Sequence, residues 1–262
     1  MTLPRHVPLV AVTRGALPEL IHHGSIAVVD LEGKLVHGVG DPQSLNFTRS
    51  TLKPFQALPF VEDGGMARFA FTSHEWALMC ASHSGEAVHV QIVKRMLNAI
   101  EANEGDLQCG CHPPTYFAAT HEQMGPRVRW TQLHHNCSGK HTGFLAYCRL
   151  HGWSIAEYLD PEAPAQRHIR KVVQRFAPGV DLAVGIDGCS APNYALPLTS
   201  LAHAYAQLAA GTTPALAAIA YAMRRHPELV SGTQRTDLAL MQSAPDDWVS
   251  KIGADGVQAI GI

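Results

Sequence analysis

Two stretches near the N-terminus, Ser25-Ile-Ala-Val-Val-Asp30 and Lys34-Leu-Val-His-Gly38, decide the fold class of this chain. They flank a Glu32-Gly33 turn, and this pattern predicts an antiparallel β-hairpin. Two more strands are predicted between Trp248 and Ile262, around the turn Ala254-Asp-Gly256. Strands at both ends of a chain with helices between them are typical of an α+β fold, so we expect the terminal strands to meet in one sheet.

Helical patterns fill the middle of the chain. Apolar residues recur at helical spacing between Glu86 and Asn103, and Gly105 follows as a stop signal. Helices are also predicted over residues 50–60, 139–151, 163–176, 199–210 and 214–225, a buried strand over 181–187, and a loop over 109–126. Because no repeat, low-complexity tract or linker interrupts this order, we expect a single domain over residues 1–262.

The composition argues against several classes of protein. Of the 262 residues, 46% are hydrophobic and 16% are charged, which favours a globular chain over a disordered one. The formal net charge of −2 provides no basic footprint for nucleic acid or for an anionic membrane. No apolar run reaches the roughly 20 residues of a membrane span, and the first residues lack the apolar core of a secretory signal peptide. We therefore expect a cytoplasmic protein with neither a nucleic-acid nor a membrane partner.

One motif combines a hydroxyl with an amine. Arg49-Ser50-Thr51-Leu52-Lys53-Pro54 contains the only S-x-x-K of the chain, which has just six lysines. Positions i and i+3 share a helical face, so the Lys53 amine can come within hydrogen-bond reach of the Ser50 hydroxyl. A desolvated lysine close to other cations loses its proton more easily and can act as a base. The alternative is an ordinary helix start with a solvated Lys53.

A second polar stretch, Ala81-Ser82-His83-Ser84-Gly85-Glu86, lies between an apolar segment and a predicted helix. Its side chains could point into a cleft. The alternative is a helix N-cap, which accounts for Ser84 but less well for Ser82 and His83.

The densest cluster of reactive residue types is His134-His-Asn-Cys137-Ser-Gly-Lys140-His141, and Asp187-Gly-Cys189 follows a predicted buried strand. Thiolate and imidazole ligands suit zinc, although this spacing matches no common zinc-finger pattern. Buried thiols and a capped helix are the alternative. A further cysteine pair, Cys109-Gly-Cys111-His112, stands in a proline-rich loop with no partner pair nearby in the sequence.

Four blocks in order, taken together, resemble the asparaginase II family, the Rhizobium etli type of L-asparaginase. They are Arg49-Ser-Thr-Leu-Lys-Pro-Phe55, Ala81-Ser-His-Ser-Gly-Glu86, His135-Asn-Cys-Ser-Gly-Lys-His141 and Gly185-Ile-Asp-Gly-Cys189. The resemblance runs across nearly the whole chain. It implies a β-lactamase-like or penicillin-binding-protein-like fold, with an antiparallel sheet flanked by helices. It also implies the hydrolysis of L-asparagine to L-aspartate and ammonia.

The resemblance also implies roles for individual residues. Ser50 and Lys53 match a nucleophile and its activating base, and Ser82 matches a second active-site serine. Cys137, Lys140 and Cys189 match a Zn²⁺ site with an unusual lysine ligand. Asp187 would lie around that site, and Arg49, His83 and Asp187 are expected to contact substrate or its polar network.

The family pattern includes a further lysine, paired with the second serine, which we expect after Ile262 together with one or more C-terminal strands. Lys251 does not resemble that element in sequence. Because an unpaired sheet edge favours pairing with another chain, we also expect a homodimer.

Two other functions compete with L-asparagine hydrolysis. One is a β-lactamase-like or esterase-like serine acyl hydrolase on the same architecture. The other is a non-catalytic zinc-binding module built on the cysteines and histidines.

Overall fold

The computed structural model describes residues 3–262, which form short strands at both ends of the chain and helices between them. The strands are β1 (Val7–Arg14), β2 (Leu17–Gly24), β3 (Ile26–Val29), β4 (Leu35–Val39), β5 (Leu45–Phe47), β6 (Val184–Ile186), β7 (Pro192–Pro197), β8 (Val249–Ile252) and β9 (Gln258–Gly261). The α-helices are α1 (Lys53–Glu62), α2 (Gly65–Arg68), α3 (Ser73–Met79), α4 (Ala87–Ala99), α5 (Thr115–Thr120), α6 (Ser138–His151), α7 (Pro164–Phe176), α8 (Leu198–Ala210), α9 (Pro214–Arg225), α10 (Pro227–Val230) and α11 (Thr236–Ser243).

The strands pair as small antiparallel sheets: β1 with β2, β3 with β4, β5-β7-β6, and β8 with β9. Small antiparallel sheets flanked by helices agree with the predicted α+β class. The expectation of one sheet joining the two ends was wrong for residues 3–262, since β3 and β9 share no ladder. Instead both strands pack on α8, so side-chain packing rather than backbone pairing joins the two ends of the chain.

Most of the predicted helices are present, with ends that differ by a few residues. The prediction of a continuous loop over 109–126 was wrong, because α5 forms within it after Pro114. Helix α3 was not predicted; it begins with a capping box in which Thr72 and Glu75 satisfy each other's backbone N–H groups. No helix among residues 3–262 has both the length and the apolar character needed to span a membrane.

The hydrophobic core surrounds α1, whose residues Lys53–Phe60 are all buried. Helices α6, α7 and α9 pack around it, and α6 is buried from Ser138 to Cys148. The starts of α1 and α6 and the chain after α3 are therefore inside the protein. We expect most of the polar residues that these segments carry to be hydrogen-bonded, since burying an unpaired polar group is costly.

Close contact between α6 and α3 depends on Gly139. A Cβ atom at this position would lie 2.3 Å from the backbone oxygen of Leu78, an atom that cannot rotate away. We expect Gly139→Ala to lower the free energy of unfolding by about 1–3 kcal/mol, the usual cost of overpacking a core. Urea denaturation would measure this. Gly125→Ala is the control because its Cβ atom meets no neighbour, and equal midpoints for the two variants would contradict the prediction.

Candidate active site

Lys53 is the first residue of α1, and its side chain runs into the core. Its Nζ donates a hydrogen bond of 2.5 Å to the backbone oxygen of Ala81 and one of 2.9 Å to Ser82 Oγ. Spacing had predicted a contact with Ser50, but no hydrogen bond joins Lys53 Nζ to Ser50 Oγ within residues 3–262. Residues 49–52 form a 3₁₀ turn before α1, and the lysine side chain extends from there toward the segment after α3.

Ser82 lies in the buried stretch that follows α3, with 4% of its surface exposed. Its backbone N–H donates to Val230 O over 2.9 Å, at the end of α10, and this bond fixes the segment across the core. The hydroxyl of Ser82 thus faces the Lys53 amine in a position that solvent hardly reaches.

Ser50 is half-buried, unlike Ser82, and directly follows Arg49, which lines an open pocket. The pocket has a volume of about 390 Å³ and is lined by Arg49, Asp187, Asn193 and Asp255 among others. Arg49 adopts a left-handed backbone conformation with φ 50°. Asn193 supports this strained position, because its side chain bonds both the N–H and the carbonyl of Arg49 at 3.0 Å.

The Arg49 guanidinium is already paired with two carboxylates. It bonds Asp187 Oδ1 at 2.8–2.9 Å and also contacts Asp255, an exposed residue in the β8–β9 turn. Burial acts to raise the pKa of Asp187, but the Lys140 charge, the Gly188 N–H and Arg49 outweigh burial and hold that pKa below its ordinary value. A substrate carboxylate could reach Arg49 most easily by taking the place of Asp255.

His83 is fully buried, and both of its ring nitrogens have partners. The Gly85 N–H donates to Nδ1 over 3.1 Å, so Nε2 carries the hydrogen that faces Ser138 Oγ at 2.9 Å. Burial first, and then neighbouring cations, lower the pKa of His83 well below its ordinary value. His83 is thus a neutral link between the Ser82 segment and the start of α6, and its contact with substrate stays a prediction.

Cys137, Lys140 and Cys189 come together, as the resemblance implied. All three are buried, and Lys140 Nζ lies 3.1 Å from Cys189 Sγ. A hydrogen bond with Cys189 is the main cause that lowers the pKa of Cys137 well below its ordinary value, with further contributions from Lys53 and Lys140. Lys53 is among the groups that lower the pKa of Cys137, so the serine–lysine pair and the thiol cluster are neighbours.

The two buried thiols suit zinc by their chemistry. Burial acts to lower the pKa of Lys140, but the charges of Cys189 and Cys137 outweigh burial and raise that pKa above its ordinary value, so the amine would have to lose a proton to act as a ligand. The buried Nε2 of His141 also lies near Cys189 and has no hydrogen-bond partner among residues 3–262. Over the same residues, no group of three or more His, Cys, Asp or Glu side chains is arranged to hold a metal. Any metal here would therefore depend on the lysine as a ligand.

The sequence analysis did not place Lys251 among the residues of the candidate site. Its side chain is fully buried, and its amine lies 3.3 Å from Asp237 Oδ2. Burial lowers the pKa of Lys251 to about 8, the Asp237 carboxylate opposes this, and the charge of Lys53 adds to the decrease. Lys251 is therefore a second buried lysine near Lys53, and it precedes Ile262. The one available signal was a lysine within the pattern of a predicted strand, in a sequence with few lysines.

The fold and the site define a mixed α and β protein with a buried serine–lysine pair beside a thiol cluster. A comparison with protein families matches residues 10–262 to L-asparaginase II. The chain belongs to the L-asparaginase II family, and at the level of the family it is an amidohydrolase of the L-asparaginase type. A search among curated proteins found no match.

Proposed function

We propose that this protein hydrolyses L-asparagine to L-aspartate and ammonia by serine/lysine acyl transfer. The observation that carries the proposal is the buried Lys53 amine, 2.9 Å from Ser82 Oγ and three residues after Ser50. An amine in this position can take a proton from a serine hydroxyl and return it to a leaving group, as general acid–base catalysis requires. The family match supports an amide as the substrate.

The two serines differ in how far they are exposed, and we assign their roles from this difference. Ser50 is half-buried and directly follows Arg49, a residue that lines the pocket, whereas Ser82 is almost completely buried. We therefore assign the nucleophilic attack to Ser50 and the proton relay to Ser82 and Lys53. Arg49 and Asp187 would hold the charged end of the substrate, since both line the pocket.

The proposed reaction balances in two steps. The Ser50 oxygen forms a bond to the side-chain amide carbon, its proton passes to Lys53, and the C–N bond breaks as that proton reaches the departing ammonia. Water then attacks the resulting ester, releases L-aspartate and restores the hydroxyl of Ser50. Ser82 keeps the Lys53 amine oriented during both steps through the hydrogen bond between them.

Mass spectrometry of a trapped intermediate tests this proposal. With L-asparagine as substrate we expect ammonia release by the wild-type protein, and after a rapid acid quench an aspartyl adduct on the peptide that contains Ser50. Ser50→Ala should lose the adduct, while Ser82→Ala should form it more slowly. An adduct on Ser82 would reverse the assignment of the serines. Nitrocefin turnover without ammonia release would instead favour a β-lactamase-like hydrolase.

We also propose that Cys137, Lys140 and Cys189 hold Zn²⁺. The support is the burial of all three donors and the 3.1 Å approach of the lysine amine to a cysteine sulfur. A bound zinc ion would supply a fixed positive charge that joins the start of α6 to the loop after β6. Arg49 would then be linked to the zinc site by its hydrogen bond to Asp187, which lies two residues before Cys189. The β-lactamase-like architecture, the homodimer and the cytoplasmic location stay predictions from the sequence.

A further inference from the structure

Asp237 lies in the first turn of α11, and no part of it is exposed. Its Oδ2 accepts hydrogen bonds from the Ile252 N–H at 2.9 Å and from Lys251 Nζ at 3.3 Å. Its Oδ1 accepts from Ser250 Oγ at 2.8 Å and from Gln258 Nε2 at 3.3 Å. The Asp237 carboxylate therefore links α11 to the β8–β9 hairpin through Ser250 and Ile252, the residues on either side of Lys251.

Other charged or titratable groups also face this buried pair. The charges of Lys53, from α1, and of Arg235, just before α11, add to the decrease that burial causes in the pKa of Lys251. Burial raises the pKa of Cys80, after α3, and the charges of Lys251 and Lys53 oppose this increase. Burial also raises the pKa of Tyr205 in α8, and the Asp237 charge adds to that increase. Asp237 is therefore the carboxylate that balances a buried region containing two lysines, and it contacts one of them directly.

We propose that Asp237 is a positioning residue for acyl transfer, because its carboxylate holds the Lys251 amine near Lys53 and balances one of the two lysine charges. The proposal rests on the proposed function of the Lys53–Ser82 pair. Asp237 itself acts through Lys251, with the β8–β9 hairpin as the fixed support. Lys251 Nζ also donates to its neighbour Ile252 O over 2.7 Å, so the amine has little freedom to turn away.

The expected consequence is a change in how activity depends on pH. A neighbouring cation favours the neutral form of an amine, so turnover with Lys53 as the proposed base should fall as Lys251 loses its proton, at about pH 8. Asp237 stabilises the protonated form of Lys251, so Asp237→Asn should move this fall to lower pH by about one to three units. The looser amine should also reduce the maximal rate by about tenfold.

The test compares wild type with Asp237→Asn over pH 5.5–10, using ammonia release. Asp181→Asn, which changes an exposed aspartate, is the matched control and should leave the profile unchanged. Superimposable profiles for wild type and Asp237→Asn would overturn the proposal. If wild-type protein releases no ammonia from L-asparagine at any pH, the proposed function fails, and the next measurement then decides on Asp237 alone.

That measurement is the stability of four forms: wild type, Asp237→Asn, Lys251→Met and the double variant. In Lys251→Met the buried carboxylate has lost its partner, so adding Asp237→Asn should stabilise the chain or leave it unchanged, whereas in wild type the same change should destabilise it. An equal loss of stability in both backgrounds would overturn the pairing of Asp237 with Lys251. The comparison in the Lys251→Met background also serves if the single Asp237→Asn variant does not fold.

The burial of Lys251 also sets the sign of the pH effect on stability, because burial is the main cause that lowers its pKa. The pKa of Lys251 is about 8 in the folded protein and about 10.4 in an unfolded chain, so its contribution to stability increases as pH rises between these values. Asp237→Asn should extend the increase to lower pH, and Lys251→Met should abolish it. A wild-type stability profile that Lys251→Met does not change would overturn the proposal.

Discussion

Replacing Lys53 with methionine should lower ammonia release from L-asparagine by about a thousandfold or more, the range expected when the base of a nucleophilic site is removed. Lys53 Nζ is the group that bonds Ser82 Oγ at 2.9 Å, and no other amine does so among residues 3–262. Methionine has a similar length and an apolar side chain, so it removes the amine while keeping most of the buried volume. Steady-state turnover and circular dichroism of the same sample measure the effect.

Lys171→Met is the matched control, because this exposed lysine of α7 belongs to no part of the site. It should keep wild-type turnover. If Lys53→Met keeps the fold and also loses less than tenfold in kcat, then Lys53 is not the base. The proton acceptor would have to be sought elsewhere, with Lys251 as the first candidate.

Replacing Cys189 with serine should reduce bound zinc from about one ion per chain to less than a tenth of that amount. The change removes one of two thiols and the sulfur that the Lys140 amine approaches at 3.1 Å, and an alcohol is a much weaker ligand for zinc than a thiolate. Elemental analysis of protein purified without chelators measures the content. Thermal denaturation with and without added zinc provides a second measurement, because only a form that binds zinc is stabilised by it.

Cys148→Ser controls for the loss of a buried thiol, since Cys148 is also buried and lies in α6, the helix that carries Lys140. It should retain zinc, even if the burial of a hydroxyl lowers stability. Wild-type protein without metal would contradict the proposed site. So would a Cys189→Ser variant that binds as much zinc as Cys148→Ser.

The sequence alone determined much of the local structure and supplied the residues of the candidate site. The Glu32-Gly33 turn between two β-branched stretches is observed as the β3–β4 hairpin, and helical spacing after Glu86 is observed as α4. Such features depend on residues close in sequence, so a local pattern can reveal them. The segment Cys137–Lys140 likewise places a thiol and an amine on one helix start, and the family match covers all four motif blocks.

Only the tertiary structure decided which groups act on one another. Spacing assigned Lys53 to Ser50, but the hydrogen bond goes to Ser82, 29 residues away, because α1 is buried with its lysine directed at the chain after α3. Lys251 did not resemble the family's further lysine in sequence, yet its buried amine lies beside Asp237, 14 residues earlier. The physical reason is that burial and neighbouring charges set the protonation and direction of a lysine side chain, and both are properties of the packed chain rather than of any local stretch.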